Sequence, residues 1–441
     1  MTNHSRNGTL GILLLIIAVA ATAAPSDSDS LTFWGIQTHF GQGKRDLDSV
    51  MNLLQSAGIR AIRDEVYWNE IEISPGIFTF QSKHDAYVNA ALARGIEPLI
   101  ILDYGNDLYG GTPRDSVSRQ AFARYCKAVV GRYAPLGVKH YEIWNEPNVC
   151  IPGFCPWSPA PNPAEYCELL KAAFAACKSV DPTVVIIACA TSPVDEAETT
   201  QKIPGDAFIQ RVFDLGGGNF MDAVSFHQYP VGRKPEEWLP AECEHVRTAM
   251  GVQIKPMWIT EIGHHTSSAW GSVPEQTQAQ YIARTFLVGR TVQGLDRITW
   301  YDLMDDCSDG ANPECRFGIL HEDKSPKPAF LALKAVLTLI GDRPLVTNAS
   351  NPSSGVYQLR FGAGSDVRIA VWTDGGSASV RVMVPSSFVR VYNMWGKVLS
   401  IASAAEGMAT VSASPSPLYL VPVTEEIQIR GTADHSARLH H

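Results

Sequence analysis

Eight short apolar runs, separated by helical stretches, recur between residues 31 and 340 and restrict the possible folds most strongly. They begin near Phe33, Ala61, Glu97, His140, Val184, Ala223, Pro256 and Arg297. Their spacing of roughly 28 to 44 residues allows one strand and one helix per unit, which predicts an α/β fold, a closed (β/α)8 TIM barrel. A doubly wound sheet is the alternative, but no glycine-rich phosphate loop follows the first run.

The pattern changes after about Gly341. Short runs with turn residues between them follow at 356–361, 367–372, 379–384 and 417–423, and such runs are typical of antiparallel strands. We therefore predict a catalytic barrel over residues 24–340, a smaller C-terminal antiparallel β-sandwich domain over 341–425 and a polar tail over 426–441.

The first 23 residues have the features of a secretory signal peptide. Leu10–Ala21 is an unbroken apolar run that is too short to span a bilayer, and Ala21-Thr22-Ala23 fits a cleavage site. We expect a secreted or periplasmic protein without stable membrane insertion after cleavage, and the alternative is an uncleaved anchor. The net charge of −9 argues against nucleic acid or an anionic membrane as a partner. We also expect a monomer.

The chain contains nine cysteines, and two pairs are close in sequence. Cys150 and Cys155 bracket one Pro/Gly-containing loop, and Cys307 and Cys315 bracket another, so we expect a disulfide bond in each. Because nine is an odd number, at least one cysteine stays free or pairs outside the chain. Cys189 lies in an apolar run and should be a buried free thiol. The cysteine spacing does not support a zinc site.

Two glutamates mark the expected functional end of the barrel, which is the C-terminal end of its strands. Glu146 ends the fourth predicted strand and Glu261 ends the seventh, 115 residues or three βα units later. The two carboxylates should therefore face each other across the barrel mouth. Cleavage of a glycosidic bond needs one protonated carboxyl group at the leaving oxygen and one ionised carboxylate at the anomeric carbon. A single glutamate often has only a local structural role, as a cap or as the partner of a neighbouring group. Two glutamates at matched strand ends favour a catalytic role instead.

These residues carry a resemblance to a known group of enzymes. Trp144-Asn145-Glu146-Pro147 and the run from Trp258 to Gly263 resemble the paired signatures of retaining glycoside hydrolases of clan A, and the chain looks most like glycoside hydrolase family 39. That family includes β-xylosidases, α-iduronidases and an exported hydrolase of the Psl exopolysaccharide. The chain length and the predicted signal are most similar to the last group.

The resemblance implies that Glu146 is the general acid/base and Glu261 the nucleophile. The surrounding residues agree with these roles. Arg63 could favour the ionised form of Glu261, and Tyr229 could donate a hydrogen bond to the same carboxylate. Asn145 could hold the sugar 2-hydroxyl, a contact that strengthens as positive charge builds at the anomeric carbon.

Aromatic side chains near the strand ends are candidate sugar platforms. We expect Trp300 to form the floor of the site and four further rings to be outer platforms: Trp68, Tyr104, Trp157 and Trp270. His227 resembles a strand-end residue that borders the sugar site in relatives. The alternative for each is ordinary packing in the core.

Two further groups invite other interpretations. His264 and His265 are adjacent on an extended segment, so their side chains should point in opposite directions and cannot easily share one ion, even with His227 nearby. An acidic loop follows the eighth strand, and its members are Asp302, Asp305, Asp306 and Asp309. We expect a solvated loop, while a sugar subsite or a calcium site remains open.

Together these features predict a secreted retaining glycoside hydrolase that acts on an oligo- or polysaccharide. Several loops and aromatic rings suggest internal cleavage of an exopolysaccharide chain. The alternatives are an exo-acting β-xylosidase-like or iduronidase-like enzyme and a non-catalytic carbohydrate-binding barrel. We expect no cofactor and no metal, because two carboxylates suffice for the chemistry.

Overall fold

The computed structural model describes residues 32–44, 46–193 and 197–423. The predicted signal peptide and the polar tail lie outside these residues. Within the described ranges, no helix combines the length and the apolar character needed to cross a membrane.

The described residues before Gly341 contain ten strands. They are β1 (Trp34–Gln37), β2 (Ala61–Tyr67), β3 (Glu72–Ser74), β4 (Ile77–Phe78), β5 (Glu97–Asp103), β6 (His140–Ile143), β7 (Val185–Thr191), β8 (Ala223–Gln228), β9 (Met257–Ile262) and β10 (Leu295–Trp300). Strands β3 and β4 form a small separate hairpin. The other eight form a closed parallel barrel, in which β1 pairs with both β2 and β10. The predicted TIM barrel is therefore confirmed.

Nine α-helices occur in the described residues, most of them between barrel strands. They are α1 (Leu47–Ala57), α2 (Trp68–Ile71), α3 (Ser82–Leu92), α4 (Ser116–Tyr133), α5 (Pro163–Val180), α6 (Gly205–Asp214), α7 (Pro235–Met250), α8 (Glu275–Gly289) and α9 (Pro328–Leu339). Capping side chains in the local sequence explain where some of these helices begin. Asp115 caps α4 by accepting hydrogen bonds from the backbone of Val117 and Ser118, and Asn162 caps α5 in the same way.

The C-terminal part is an antiparallel β-structure of eight strands. They are β11 (Leu345–Asn348), β12 (Val356–Phe361), β13 (Arg368–Thr373), β14 (Ala378–Met383), β15 (Phe388–Tyr392), β16 (Val398–Ala405), β17 (Met408–Ala413) and β18 (Leu418–Pro422). Their order is β11-β12-β13-β18-β15-β16-β17-β14, and the sheet curls on itself as the predicted sandwich requires. The four runs singled out in the sequence correspond to β12, β13, β14 and β18.

Strand β13 shows how the sandwich is attached to the barrel. Successive side chains of a strand point to opposite faces. Ile369 and Val371 accordingly pack inside the sandwich, whereas Trp372 belongs to the core that continues into the barrel. The indole of Trp372 donates a hydrogen bond of 2.6 Å to Glu236 of α7, which is also paired with Arg284 of α8. The sandwich therefore braces two barrel helices.

The two predicted disulfide bonds, Cys150–Cys155 and Cys307–Cys315, are present. The remaining five cysteines, Cys189 among them, are buried free thiols. Each disulfide closes a loop at the barrel mouth, next to the cavity described below.

Candidate active site

The C-terminal ends of the barrel strands surround a cavity of about 750 Å³. This catalytic cavity, as we name it, is lined by Glu146, Glu261, Arg63 and Asn145 and by several aromatic side chains. Its volume lies within the range of about 300–1,000 Å³ that is usual for ligand sites. The two glutamates singled out by the sequence therefore share one cavity.

Glu261 lies in β9, and each of its carboxylate oxygens accepts a hydrogen bond. Arg63 Nη1 donates to Oε1 at 2.5 Å, and the Tyr229 hydroxyl donates to Oε2 at 2.5 Å. Burial by itself raises the pKa of Glu261, but the charges of His227 and Arg63, together with both hydrogen bonds, hold it below the usual 4.5. Glu261 is therefore ionised at neutral pH.

Arg63 is the centre of a buried hydrogen-bond network. Its Nε donates to Glu142 at 2.7 Å, Nη1 also donates to Gln37 at 2.9 Å, and Nη2 donates to Asn145 Oδ1 at 2.7 Å. Burial lowers the pKa of Arg63, but the charges of Glu142 and Glu261 outweigh this effect and raise it. The guanidinium therefore stays charged and fixes both Glu261 and Asn145.

Asn145 and Glu146 reach the cavity because the chain turns sharply after β6. Trp144 and Glu146 have positive φ angles of 70° and 49°, and the Glu146 backbone N–H donates to Ala190 at 3.0 Å. Asn145 Nδ2 donates to the Tyr104 hydroxyl at 2.8 Å. An amide nitrogen has two N–H groups, so the second can serve a sugar hydroxyl.

His227 connects the two glutamates. Its Nδ1 lies 2.8 Å from Glu146 Oε1 and 3.5 Å from Glu261 Oε2. One atom from each of these three side chains lies within 4.8 Å of the others. The His227 ring is completely buried. It therefore acts as a fixed partner of the carboxylates and not as a surface for the sugar.

The loop after β1 brings a further histidine to the cavity. Asp64 binds this loop through the Thr38 hydroxyl at 2.6 Å and the backbone N–H of Phe40 at 2.8 Å. His39 consequently lies 3.4 Å from Asp302 and 3.8 Å from Glu65. Burial lowers the pKa of His39, but hydrogen bonds and charge from Asp302 and Glu65 outweigh this effect and raise it well above its usual value.

Neither His39 nor Glu65 was singled out by sequence reasoning. The same is true of Tyr67, whose hydroxyl donates to Glu65 at 2.6 Å, although all three line the cavity. The sequence feature that could have identified His39 is its position directly after the first strand. The prediction considered the ends of the later strands only.

Three tryptophans predicted as sugar platforms are instead core residues. Trp300 is 0% exposed and does not line the cavity, whereas its neighbour Tyr301 does. Successive residues at a strand end point in opposite directions, which explains the difference. Trp68 and Trp157 are also completely buried. Each has aromatic packing partners, as expected of the alternative interpretation.

Two predicted platforms do line the catalytic cavity, Tyr104 and Trp270. Trp270 is 87% exposed, so its ring has space for a ligand. His264 packs against Trp300, while His265 lines the cavity, and the two side chains diverge as predicted.

The acidic loop is less solvated than predicted. Asp305 is completely buried and lies 2.7 Å from Lys327 and 3.2 Å from Arg316, so it is a structural ion-pair partner. Asp302 is buried beside His39. One atom each from His39, Asp302 and Asp306 lies within 4.8 Å of the others, a spacing that a metal ion could also use. The short distances from His39 to the carboxylates of Asp302 and Asp306 are also typical of ordinary ion pairs.

Comparison with solved structures places the chain among glycoside hydrolases. A family 39 glycoside hydrolase from Bacteroides cellulosilyticus WH2 is 25% identical, with a TM-score of 0.74, over 88% of this chain and 80% of that one. A monomeric β-xylosidase from Caulobacter crescentus CB15 is 17% identical, with a TM-score of 0.64, over 90% and 97% of the two chains. A family 30 endoxylanase from Clostridium papyrosolvens C71 is 14% identical, with a TM-score of 0.61, over 90% and 97%. The last two similarities concern the fold alone.

The comparison of sequences agrees with this placement. No curated protein matches the chain. The family model described as cellulase (glycosyl hydrolase family 5) matches residues 22–302, which is more than half of the 441 residues. The chain therefore belongs to this clan A family of glycoside hydrolases and is a hydrolase that acts on glycosidic bonds.

Proposed function

We propose that this protein is a secreted retaining glycoside hydrolase that cleaves within the chains of an exopolysaccharide. Glu261 is the nucleophile and Glu146 the general acid/base of a double displacement. The observation that carries this proposal is the sharing of one cavity by two buried carboxylates, with an oxygen of each within 4.8 Å of the other. A close pair, with carboxyl groups about 5–5.5 Å apart, is typical of retaining enzymes, whereas inverting enzymes need more space for a water molecule.

In the first step, a Glu261 oxygen attacks the anomeric carbon while Glu146 gives its proton to the glycosidic oxygen. The bond between the anomeric carbon and that oxygen breaks, and a glycosyl ester of Glu261 forms. Arg63 and Tyr229 support this step because their hydrogen bonds keep Glu261 ionised and orient it. Because Glu261 is already ionised, no other residue has to remove a proton from it before it attacks.

In the second step, water attacks the anomeric carbon and Glu146 takes its proton. The ester bond breaks, Glu261 leaves as a carboxylate, and the sugar regains its original configuration. His227 Nδ1 lies within 3.5 Å of both carboxylates. It can therefore hold Glu146 in place in both steps while the charge moves between the two glutamates.

The charge of the cavity favours an uncharged sugar. Glu65 lines the wall in addition to the two catalytic glutamates, and so does Glu314, whose pKa burial raises to about 7. The positive charge of Arg63 is already compensated by Glu142 and Glu261. The raised pKa of His39, which also lines the cavity, favours its cation, but this charge is likewise compensated by Glu65 and Asp302. With Arg63 and His39 both paired, neither cation is left to bind the carboxylate of a sugar, which argues against an iduronidase-like substrate.

Two observations support secretion. The chain begins with a predicted signal peptide, and the structure contains two disulfide bonds, which persist in oxidising compartments. A monomer remains our expectation.

The proposal can be tested with the purified mature protein and a panel of β-glucans, mannans, xylans and bacterial exopolysaccharides. Mass spectrometry of the products would give their lengths, and NMR would give the anomeric configuration first released. We expect oligosaccharides of retained configuration from one neutral polymer. Products limited to monosaccharides would indicate exo-action, and inverted products would refute the assigned roles.

Variants separate catalysis from binding. Glu261→Gln should abolish turnover and keep affinity for the polymer, whereas Glu168→Gln on the exposed surface of α5 should behave as the wild type. Equal turnover by Glu261→Gln and wild type would exclude Glu261 as the nucleophile.

A further inference from the structure

A second cavity of about 660 Å³ adjoins the catalytic cavity. The loops that follow β5 and β6 line it, and it shares Tyr104, Gly153 and Phe154 with the catalytic cavity. These three residues therefore form the junction between the two spaces. A ligand that extends along these residues from the catalytic cavity would reach the second cavity.

Phe154 is held at this junction by its loop. Its side chain is 42% exposed, so part of the apolar ring is open to a ligand. The backbone N–H groups of Ile151 and Phe154 donate to each other's carbonyl oxygens at 2.8 and 2.9 Å. The adjacent Cys155 is bonded to Cys150. The ring is thus presented by a restrained loop, so a ligand that contacts it loses little binding free energy to ordering of the protein.

Tyr104 is the second aromatic residue at the junction and is restrained as well. Its hydroxyl accepts a hydrogen bond from Asn145, and its ring stacks on Tyr67 with 6.1 Å between centroids. Because Asn145 is itself bound by Arg63, Tyr104 is tied directly to the catalytic network.

The wall beyond the junction suits an uncharged, hydroxyl-rich molecule. Gly105, Gly110 and Gly111 line it without side chains, so a flat ring can approach the backbone closely. A Cβ atom at Gly105 would lie 2.5 Å from the backbone of Gly111, so this compact loop requires glycine there. The Arg114 guanidinium, which also lines the wall, is compensated by two hydrogen bonds to Glu165 at 2.8 and 3.1 Å.

We propose that the second cavity binds additional sugar units of an uncharged polysaccharide, with a sugar ring stacked on Phe154. The inference rests on the proposed function, because it extends the substrate from the bond that Glu146 and Glu261 cleave. Its consequence is that activity rises with chain length. A substrate with a single sugar at Glu146 and Glu261 is too short to occupy the second cavity and should depend much less on Phe154.

The test compares a short and a long substrate in the same variants. The short one is a nitrophenyl monoglycoside, and the long ones are oligosaccharides from the polymer that the wild type cleaves. Phe154→Ala should lower kcat/KM about tenfold more on tetrasaccharides and longer chains than on the monoglycoside. Phe154→Trp should restore activity on long chains.

Leu108→Ala is the matched control. Leu108 is also 42% exposed on the loop after β5, but it lines neither cavity, so its truncation should affect neither substrate. Ser158→Trp is an independent variant, because it adds bulk at the wall of the second cavity and removes no packing. It should also lower activity on long chains only.

The possible outcomes distinguish the two proposals. If Phe154→Ala and Ser158→Trp leave the ratio of long-chain to short-chain activity unchanged, the second cavity does not bind substrate. If the wild type cleaves no glycoside, the proposed function itself fails, whatever the variants do.

Discussion

The hydrogen bond from Tyr229 to Glu261 leads to a quantitative prediction about pH. Tyr229→Phe removes only the hydroxyl that donates to Glu261 Oε2 at 2.5 Å. A hydrogen bond to a charged group contributes about 1.5–3 kcal/mol. Since one pKa unit corresponds to about 1.36 kcal/mol, the pKa of Glu261 should rise by roughly 1–2 units.

The sign of the effect follows from the role proposed for Glu261. The nucleophile is active when ionised, and in the wild type its pKa lies below 4.5. A higher pKa in the variant means that protonation inactivates the enzyme at a higher pH. The acidic limb of the profile of kcat/KM against pH should therefore move upwards by roughly 1–2 pH units, because kcat/KM reports the free enzyme.

The assay is kcat/KM on one soluble substrate from pH 3 to pH 9. Tyr392→Phe in the sandwich domain is the control, because it removes a tyrosine hydroxyl far along the chain from the catalytic residues. The reasoning would be refuted if Tyr229→Phe reduced activity equally at every pH and left the acidic limb in place. In that case the hydroxyl would not stabilise the ionised carboxylate.

Three further predictions concern other residues of the site. Glu146→Gln should lower kcat/KM on natural oligosaccharides by about 10²–10⁴ but that on dinitrophenyl glycosides much less, because kcat/KM reports the first step and a good leaving group needs no general acid there; equal losses of kcat/KM on both substrates would contradict the assignment. Arg63→Ala should lower the free energy of unfolding in urea by about 3–5 kcal/mol, since it leaves the buried Glu142 unpaired, and a loss below about 1 kcal/mol would contradict this. Replacing both Cys150 and Cys155 by Ser should cost about 2 kcal/mol of unfolding free energy without reductant, as expected for a short loop, and reductant should remove the difference.

Most of the fold could be predicted from local patterns. Each strand of the barrel is followed by its helix in sequence, so the repeating pattern is visible without knowledge of distant contacts. Four predicted strand starts, Ala61, Glu97, His140 and Ala223, coincide with those observed. Both disulfides were predictable for a similar reason, because each joins two cysteines that are close in sequence. The signal peptide and the polar tail are untested by the structure.

The aromatic residues show where this reasoning stops. Trp300 and Tyr301 are adjacent, and nothing in their sequence indicates which of them enters the cavity. The choice depends on the direction of the last residue of β10 and on the packing of Trp300 against His264. Trp68 was assigned to a strand end, but it begins the short helix α2 and donates to Glu72 in the core.

The barrel, the two disulfide-closed loops and the position of two glutamates at matched strand ends could be predicted from the sequence alone, because these features depend on spacing along the chain. The identity of the side chains that surround the glutamates depends on the folding of the whole chain. Arg63, His227 and Tyr229 meet them across strands far apart in sequence, and His39 arrives through a loop held by Asp64. Such contacts depend on strand register, barrel closure and loop direction, which are properties of the whole packed chain.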